Sequence, residues 1–326
     1  MTAADAPRPP TGALLTLDAA VALLRAGRVV GIPTETVYGL AADALNAAAV
    51  ADIFAFKGRP ADHPLIVHLP SLDALAGWVT PGLPDDAALL GARFWPGPLT
   101  LILPRGPLAS DAVTAGLDTV GVRVPDHPVA LELLRRLGTG LAAPSANRFG
   151  HVSPTTAAHV LADLGDRVAG VLDGGPSRVG VESTIVDLSR GPAVVLRHGG
   201  IALADLAAVL GYEPVDGTRE APTVIRSPGQ VSSHYAPRAQ LEVVPEAELA
   251  TRAQALRKTG VRVHTLGRAE LGQDADAWAR SLYAALRDAD SHGPDVILVV
   301  EAPPGRLVDA VRDRLKRAAA PTSGRH

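Results

Sequence analysis

Residues 53–69 read IFAFKGRPADHPLIVHL and place a helix, a cationic turn and an apolar strand in direct succession. Gly58 ends the helix, because glycine readily adopts the left-handed conformation that follows a helix, and the proline two residues later cannot continue it. The turn carries Lys57 and Arg59, in a chain that otherwise has lysine only at positions 258 and 316. Two fixed cations on one short loop suit a polyphosphate, although a helix end with a basic residue would also explain the lysine.

The composition is that of a folded globular protein, because 47% of the 326 residues are hydrophobic and 20% are charged. At this length two domains are expected. The net charge of −3 and the lack of a run of lysine and arginine argue against stable nucleic-acid binding. Without cysteine, the chain has no disulfide, thiolate metal site or cysteine nucleophile.

Targeting segments are not expected. The sequence has no apolar run of about 18 residues, which a membrane-spanning helix requires. Residues 1–12 are proline-rich, lack the apolar core of a signal peptide and are expected to form a disordered leader. We therefore expect a cytoplasmic enzyme that does not associate with membranes.

Residues 12–210 are expected to form an α/β domain, because helical and strand patterns alternate irregularly there. The expected strands are 28–32, 64–69, 99–103, 120–124, 141–144, 169–173, 183–188 and 193–197. The expected helices are 16–27, 46–57, 71–79, 84–94, 128–137, 153–164 and 202–210, with a hydroxyl-rich turn at 33–40. Because several consecutive strands are too close in sequence for helical crossovers, we predict a twisted mixed sheet with flanking helices.

Residues 211–238 lose periodicity and are rich in proline, glycine and serine, so an inter-domain linker is expected there. Three strand–helix repeats follow in residues 239–320 and predict a small Rossmann-like parallel sheet. Its expected strands are 240–244, 261–265 and 296–300, and its expected helices are 246–258, 275–288 and 305–318.

Two polar residues lie within apolar strands, Arg123 in GVRVP and His68 in LIVHL. A charge in such a strand is costly without a partner. For Arg123 the explanations are a pairing with Asp126, a surface exit of the strand, or an anionic ligand group. A lone histidine on a strand is more often structural than ligand-binding, so His68 alone does not define a site.

Hydroxyl and amide groups gather where strands and helices end. Ser145 and Asn147 follow a strand two residues apart, so they point the same way, although turns also favour both residue types. Ser153 is expected to begin a helix, either as a plain cap or at an N-terminus suited to an anion. Ser183 enters a strand and Arg197 leaves one, and each also fits turn chemistry alone.

Several catalytic motifs are missing from the sequence. It contains no P-loop, no Gly-x-Ser-x-Gly elbow, no His-Glu-x-x-His helix and no kinase signature. A site would therefore be assembled from separate strand ends. Such a site suits a nucleotide transfer in which the substrate supplies the nucleophile, since positioning and charge neutralisation then carry most of the rate.

Five motifs resemble those of the YrdC-type threonylcarbamoyl-AMP synthases: PTETVYGL at 33–40, KGRP at 57–60, PLIVH at 64–68, PSAN at 144–147 and STIVD at 183–187. The pairing of Lys-x-Arg with Ser-x-Asn is characteristic of that family. SPG at 227–229 and HYAP at 234–237 resemble the linker of its long, two-domain form.

The resemblance implies a positively lined cavity that binds ATP and L-threonine. The family joins L-threonine, bicarbonate and ATP into L-threonylcarbamoyladenylate, releases pyrophosphate, and supplies a partner complex that modifies tRNA. Mg²⁺ is expected on the triphosphate, held by substrate oxygens and water, with no metal site formed by the protein.

Residue roles are also implied by the resemblance. The residues expected around threonine are Thr36, His68, Arg123, Ala143 and Ser183. Those expected around ATP are Arg59, His63, Thr119, Ser145, Ser153 and Arg197, with His234 and Tyr235 as a lid from the linker. The catalytic set is Lys57, Arg59, Ser145 and Asn147.

Two other functions are compatible with the same fold. One is an RNA-binding or regulatory protein without the chemistry, which the negative net charge disfavours. The other is a carbamoyl-transfer module, which would use carbamoyl phosphate and would not need threonine.

Overall fold

The structure is a computed structural model of the chain that describes residues 12–219, 226–229 and 235–320. The leader predicted for residues 1–12 therefore lies almost wholly outside the described residues, as does His234 of the predicted lid. No helix within the described ranges is long and apolar enough to cross a membrane.

Eleven strands of the described chain pair into one sheet in the N-terminal domain, in the order β1-β8-β2-β3-β7-β4-β6-β5-β9-β10-β11. The strands are β1 (Leu14–Leu15), β2 (Val30–Ile32), β3 (Gly39–Asp43), β4 (Ile66–His68), β5 (Leu99–Pro104), β6 (Thr119–Arg123), β7 (Leu141–Ala142), β8 (Val171–Leu172), β9 (Thr184–Asp187), β10 (Val194–Arg197) and β11 (Val215–Asp216). The sheet contains both parallel pairs, such as β4–β6, and antiparallel pairs, such as β5–β6. The predicted twisted mixed sheet is confirmed.

Helices flank this sheet. They are α1 (Leu17–Arg25), α2 (Ala47–Lys57), α3 (Asp85–Phe94), α4 (Asp111–Thr114), α5 (Pro128–Leu137), α6 (Ala157–Leu164) and α7 (Leu203–Leu210). The end of α2 follows the sequence directly, because Asn46 caps its start and Gly58 ends it in the left-handed conformation, with φ of +62°. Lys57 and Arg59 are thereby held on a fixed turn.

Besides the short elements β1, β11 and α4, which are not predicted, three details of this domain differ from the sequence prediction. β3 was not expected, and its alanine-rich sequence has low strand propensity, but the hairpin with β2 and burial on both sides override that preference. Residues 71–79 contain only a 3₁₀ turn at Leu72–Leu75 in place of a helix. The helix expected from Ser153 begins at Ala157, because the Thr156 side chain accepts the capping hydrogen bond from the His159 backbone.

The pleat of the sheet separates the main core from the face on which a cavity lies. In β6, Val120 and Val122 point into the main apolar core, whereas Arg123 points to the opposite face. In β4, Val67 joins that core, and His68 faces the cavity. Successive side chains on a strand alternate between faces, so one strand serves both core and cavity.

The C-terminal domain has a three-stranded parallel sheet, in the order β12-β14-β13, which confirms the predicted small parallel α/β unit. Its elements are β12 (Gln240–Val244), α8 (Leu249–Lys258), β13 (Val263–Leu266), α9 (Arg268–Leu271), α10 (Ala275–Ser291), β14 (Val296–Val300) and α11 (Val308–Ala319). Val37, Val152 and Val181 of the N-terminal domain share one apolar cluster with Trp278 and Leu282. The two domains therefore pack through a common core.

The boundaries predicted for the inter-domain linker, residues 211–238, stay a prediction. Within it, β11 pairs with β10 of the large sheet, and a 3₁₀ turn follows at Gly217–Arg219. Its first residues thus extend the N-terminal sheet.

Gly180 lies where the backbones of the two domains approach each other closely. A Cβ at this position would lie 2.2 Å from the Ala279 carbonyl oxygen and 2.5 Å from the Cα of Arg280 on α10, and its φ is +80°. Only glycine fits this contact without displacing the helix.

We expect Gly180→Ala to lower the free energy of unfolding for two reasons. Alanine is strained in the left-handed backbone conformation, and its methyl group would clash with α10. The strain alone costs about 1–2 kcal/mol, and overpacking adds roughly 1–3 kcal/mol. Gly138→Ala is the matched control, because Gly138 has φ of +79° and open space around it. Denaturant unfolding of both variants measures the difference, and equal losses would contradict the close contact.

Candidate active site

A cavity of about 580 Å³, counted to its open mouth, lies on the sheet face opposite the main core. It collects side chains from strand ends and loops that are far apart in sequence. Its lining is Thr34, Thr36, Val37, Gly39, Lys57, Arg59, Ile66, His68, Arg123, Ala143, Pro144, Ser145, Glu182, Ser183, Arg197, Pro228, Gly229 and Tyr235. Ten of the residues predicted from sequence are therefore brought together.

The turn between β2 and β3 is fixed by its own hydroxyl groups. The Thr34 hydroxyl donates to the Val37 carbonyl at 2.6 Å and lies 2.8 Å from the Thr36 hydroxyl. The Tyr38 hydroxyl donates to the Gly175 carbonyl at 2.8 Å, which joins the turn to the loop after β8. These bonds account for the hydroxyl-rich sequence and hold Thr36 at the cavity wall.

Lys57 is buried, and backbone carbonyls hold its ammonium group. It donates to the carbonyl oxygens of Ser145 at 2.5 Å and Asn147 at 2.6 Å. Burial, reinforced by the charge of Arg59, lowers the pKa of Lys57 well below its usual value. The lysine thus ties the cationic turn to the Ser145 loop, and one of its three N–H groups is left for a ligand.

Arg59 and Arg197 are also buried, and carbonyl and hydroxyl oxygens hold them. Arg59 donates to the Pro64 carbonyl at 3.0 Å, and burial lowers its pKa to about 10. Arg197 donates to the Ser183 carbonyl and hydroxyl, both at 3.1 Å, and to the Pro228 carbonyl at 3.2 Å. Burial likewise lowers the pKa of Arg197.

Three buried cations therefore face one cavity without an ion-paired carboxylate. Among the described residues, no Asp or Glu lies within ion-pair distance of Lys57, Arg59 or Arg197. The Nε–H of Arg59 is buried without an acceptor in the same part of the chain. Burying a charge without an ion-paired partner is costly, so an anionic ligand would stabilise this wall.

The opposite wall carries a compensated cation. A guanidinium nitrogen of Arg123 lies 2.6 Å from a carboxylate oxygen of Glu35 and donates to the Thr36 hydroxyl at 2.9 Å. Of the two partners left open by the sequence, Asp126 is excluded as the protein partner, since it pairs with Arg178 on the surface. The contact with Glu35 is close but poorly aligned, and neither oxygen of Glu35 accepts a hydrogen bond from a described residue.

His68 lies beside Arg123, because the parallel strands β4 and β6 pair these two residues in register. Burial, with the charge of Arg123 as the second cause, lowers the pKa of His68 to about 3. The imidazole is therefore neutral near neutral pH, and its buried Nδ1 has no hydrogen-bond partner among the described residues. Ser183, whose hydroxyl lies 2.8 Å from that of Thr100, completes this side.

Four predicted residues do not line the cavity. Asn147 is fully buried and donates to the Arg148 and His151 carbonyls, which shapes the loop after Ser145. His63 packs against Phe149, with ring centroids 5.6 Å apart. Ser153 donates its hydroxyl to Glu182 at 2.6 Å. Thr119 starts β6, whereas Arg123 ends it, about 13 Å further along the strand.

The sequence reasoning missed two buried carboxylates, Glu35 and Glu182. Glu35 lies within the PTETVYGL motif beside Thr36, and Glu182 directly precedes the STIVD motif beside Ser183. An acidic residue within an otherwise apolar or hydroxyl-rich segment is the available signal. Burial raises the pKa of Glu182, but the Arg314 and Arg197 charges and two side-chain hydrogen bonds outweigh it and hold the pKa at about 2.

The roof of the cavity comes from the predicted linker. Pro228 and Gly229 line the cavity together with Tyr235. A Cβ on Gly229 would lie 2.7 Å from the Tyr235 hydroxyl, so this glycine lets the ring close over the site. Tyr235 itself has φ of +62°, which is unusual for a bulky side chain.

Comparison with known proteins agrees with this architecture. The Sua5/YciO/YrdC family profile, described as "Telomere recombination", matches residues 22–199, and the profile of the "Threonylcarbamoyl-AMP synthase, C-terminal domain" matches residues 201–320. The threonylcarbamoyl-AMP synthase of Pyrococcus abyssi is 40% identical over 317 residues, which cover 92% of this chain and 93% of that protein. The Bacillus subtilis synthase is 44% identical over 319 residues, with 92% of each chain covered.

A solved structure gives the same result. The crystal structure of P. abyssi Sua5 complexed with L-threonine matches with a TM-score of 0.88 and 39% identity, covering 93% of this chain and 94% of that chain. The fold and the relatives define an enzyme of the nucleotidyltransferase class. The chain belongs to the Sua5/YciO/YrdC family and carries the C-terminal domain of its threonylcarbamoyl-AMP synthases.

The lowered pKa of His68 predicts an acid-dependent loss of stability. Because the unfolded chain protonates this histidine near pH 6.5 and the native state only near pH 3, stability is complete above pH 6.5 and falls as the pH drops through that window. We expect His68→Gln to reduce the fall in Tm between about pH 7.5 and about pH 4.5. Calorimetry at these two pH values measures the Tm of the variant and of the wild type.

His292→Gln is the matched control for this pH series. His292 is exposed on the C-terminal domain, so its replacement should keep the wild-type fall in Tm. An unchanged pH dependence in His68→Gln would show that His68 is not held neutral by burial.

Proposed function

We propose that this protein synthesises L-threonylcarbamoyladenylate from L-threonine, bicarbonate and ATP, with release of pyrophosphate. The observation that supports this most strongly is the set of three buried cations, Lys57, Arg59 and Arg197, with no carboxylate paired to them in the described chain. A triphosphate would supply the missing negative charge. The names of the relatives with 40% and 44% identity support the identity of the product.

The amino acid binds on the opposite wall. The carboxylate of threonine pairs with Arg123, whose guanidinium is already oriented by Glu35 and Thr36. Ser183 and the neutral His68 offer a hydroxyl and a ring nitrogen for the polar groups of the same ligand. This half of the proposal agrees with the solved relative, Sua5 of P. abyssi, which was crystallised with L-threonine.

The chemistry needs no nucleophile from the protein. The threonine amine adds to carbon dioxide, derived from bicarbonate, and loses a proton to give a carbamate. A carbamate oxygen then attacks the α-phosphorus of ATP, the bond from that phosphorus to the bridging oxygen breaks, and pyrophosphate leaves. Arg59 and Arg197 neutralise charge that builds up on the phosphates, while Lys57 fixes the Ser145 loop against them.

The residues around the cavity do not fit a metal held by the protein. Within the described ranges no group of three or more His, Cys, Asp or Glu residues could bind one ion. The two cavity carboxylates are committed to arginines, Glu35 to Arg123 and Glu182 to Arg314. Mg²⁺ therefore belongs to the substrate in this proposal, entering as MgATP.

The product is a mixed anhydride that must be protected from water and passed on. We propose that Tyr235 and the Pro228–Gly229 roof cover the nucleotide during the reaction, and that the product supplies a complex that places threonylcarbamoyl groups on tRNA in the cytoplasm. The predicted partner His234 lies outside the described residues.

Purified protein given ATP, bicarbonate and Mg²⁺ should release pyrophosphate only when L-threonine is added. The reason is that the attacking oxygen belongs to the threonine carbamate. A coupled pyrophosphate assay, with L-serine and L-valine as comparison amino acids, measures this dependence. Release without threonine, or activity with carbamoyl phosphate in its place, would point instead to a carbamoyl-transfer enzyme, and no release at all would contradict a synthase.

Arg59→Ala should raise the KM for ATP and lower kcat/KM for ATP by roughly 10- to 100-fold, because a charge-assisted contact contributes about 1.5–3 kcal/mol. The KM for threonine should stay within about twofold, since the threonine wall is separate. Arg28→Ala, at an exposed arginine, is the control for loss of one positive charge. A variant that loses threonine affinity and keeps ATP affinity would assign Arg59 to the wrong substrate.

A further inference from the structure

Two polar side chains of the C-terminal domain end at the cavity wall. Arg314 on α11 is completely buried, and its Nε donates to a Glu182 carboxylate oxygen at 2.8 Å. A second nitrogen of the same guanidinium donates to the His198 carbonyl at 3.0 Å. The Tyr283 hydroxyl on α10 lies 3.0 and 3.1 Å from the two oxygens of Glu182. The C-terminal domain thus supplies two of the partners of a cavity carboxylate.

Glu182 links the C-terminal domain to the cation wall, which is the side of the cavity formed by Lys57, Arg59 and Arg197. It accepts the hydroxyl hydrogen bond of Ser153 and sits next to Ser183, whose oxygens hold Arg197. Its negative charge also acts on Arg197 directly. If Arg314 were removed, Glu182 would be a buried carboxylate without its own cation, and it would draw Arg197 out of position to compensate.

The same two residues hold the roof. The Tyr235 ring stacks on the Tyr283 ring, with centroids 5.7 Å apart and planes inclined by 28°. The Arg314 guanidinium lies 4.9 Å from the centroid of the Tyr235 ring. A tyrosine with φ of +62° keeps that strained backbone only where its surroundings fix it. Tyr283 and Arg314 provide part of that support.

These contacts do more than hold the domains together. The shared apolar cluster around Trp278 already provides cohesion, and apolar packing can replace buried ion pairs without loss of stability. The hydrogen bonds described for Arg314 and Tyr283 reach Glu182, His198 and Asp313, and none reaches the threonine wall at His68 or Arg123. Their effect therefore falls first on the Arg197 side of the cavity, where the Ser183 oxygens accept from Arg197.

We propose that Arg314 and Tyr283 are positioning residues through which the C-terminal domain sets Glu182, Tyr235 and Arg197 for nucleotide binding. The inference rests on the proposed function and adds a role for the second domain: it completes the ATP side of the site, and its Arg314 and Tyr283 side chains make no described hydrogen bond to His68 or Arg123 on the threonine side.

The test uses the full chain with three conservative substitutions. Tyr283→Phe keeps the ring on Tyr235 and removes only the hydroxyl, and Arg314→Lys keeps the charge and removes the two-pronged donor geometry. Arg312→Lys on the same helix is the matched control, because Arg312 is exposed. Each variant is assayed for KM of ATP, KM of threonine and kcat, and the ligand-free proteins are compared by hydrogen exchange at residues 180–183 and 235–238.

Arg314→Lys should raise the KM for ATP by about tenfold or more and Tyr283→Phe by about threefold, with the KM for threonine within about twofold of wild type. Amide exchange at both segments should be fastest in Arg314→Lys and intermediate in Tyr283→Phe. Exchange in Arg312→Lys should equal that of the wild type.

An equal rise in both KM values, or an unchanged KM for ATP, would overturn the inference. So would unchanged exchange in Arg314→Lys. If the wild-type protein releases no pyrophosphate, the proposed function fails, and the exchange comparison still decides whether the C-terminal domain fixes Glu182 and Tyr235.

Discussion

Positive charge buried without an ion-paired carboxylate is the constraint on which the ligand cavity depends. Lys57, Arg59 and Arg197 are each held by carbonyl or hydroxyl oxygens, which orient a cation but do not neutralise it. Burial lowers the pKa of all three side chains, so the folded protein carries an unfavourable electrostatic term that an anion would relieve. The fold therefore holds and desolvates these cations before a phosphate-bearing ligand binds, and this favours binding of such a ligand.

The mixed sheet makes this arrangement possible. Parallel pairing of β4 with β6 brings His68 beside Arg123. Because side chains alternate between the two faces of a strand, the preceding residues, Val67 and Val122, point into the core. The two walls differ in electrostatics, since Arg123 has Glu35 and the cation wall has no such partner in the described chain. In the proposed function, an amino-acid carboxylate would exchange with part of an existing ion pair, whereas a triphosphate would fill a site that has none. The hydrogen bonds of Arg314 and Tyr283 from the C-terminal domain reach Glu182, beside the second wall.

The site residues at strand ends and at the end of α2 could be predicted from local sequence. Lys57, Arg59, Arg123 and Ser145 lie in the cavity because turns and pleats within a few residues of each place them there. Long-range packing decided the rest. β3 forms against its low strand propensity because the hairpin is buried. Arg314 stands at a core position of an amphipathic helix, three residues from Val311 and one from Leu315, and a charge at such a position was the signal that a buried partner exists.

Binding of ATP, ADP, AMP and adenosine to the ligand-free protein tests most directly whether uncompensated buried charge defines this site. Isothermal titration calorimetry should show affinity falling with each phosphate removed. ATP should bind more than roughly a thousandfold tighter than adenosine, as three charge-assisted contacts of about 1.5 kcal/mol or more each require. Adenosine binding within about tenfold of ATP would contradict this and would assign recognition to the base and ribose instead.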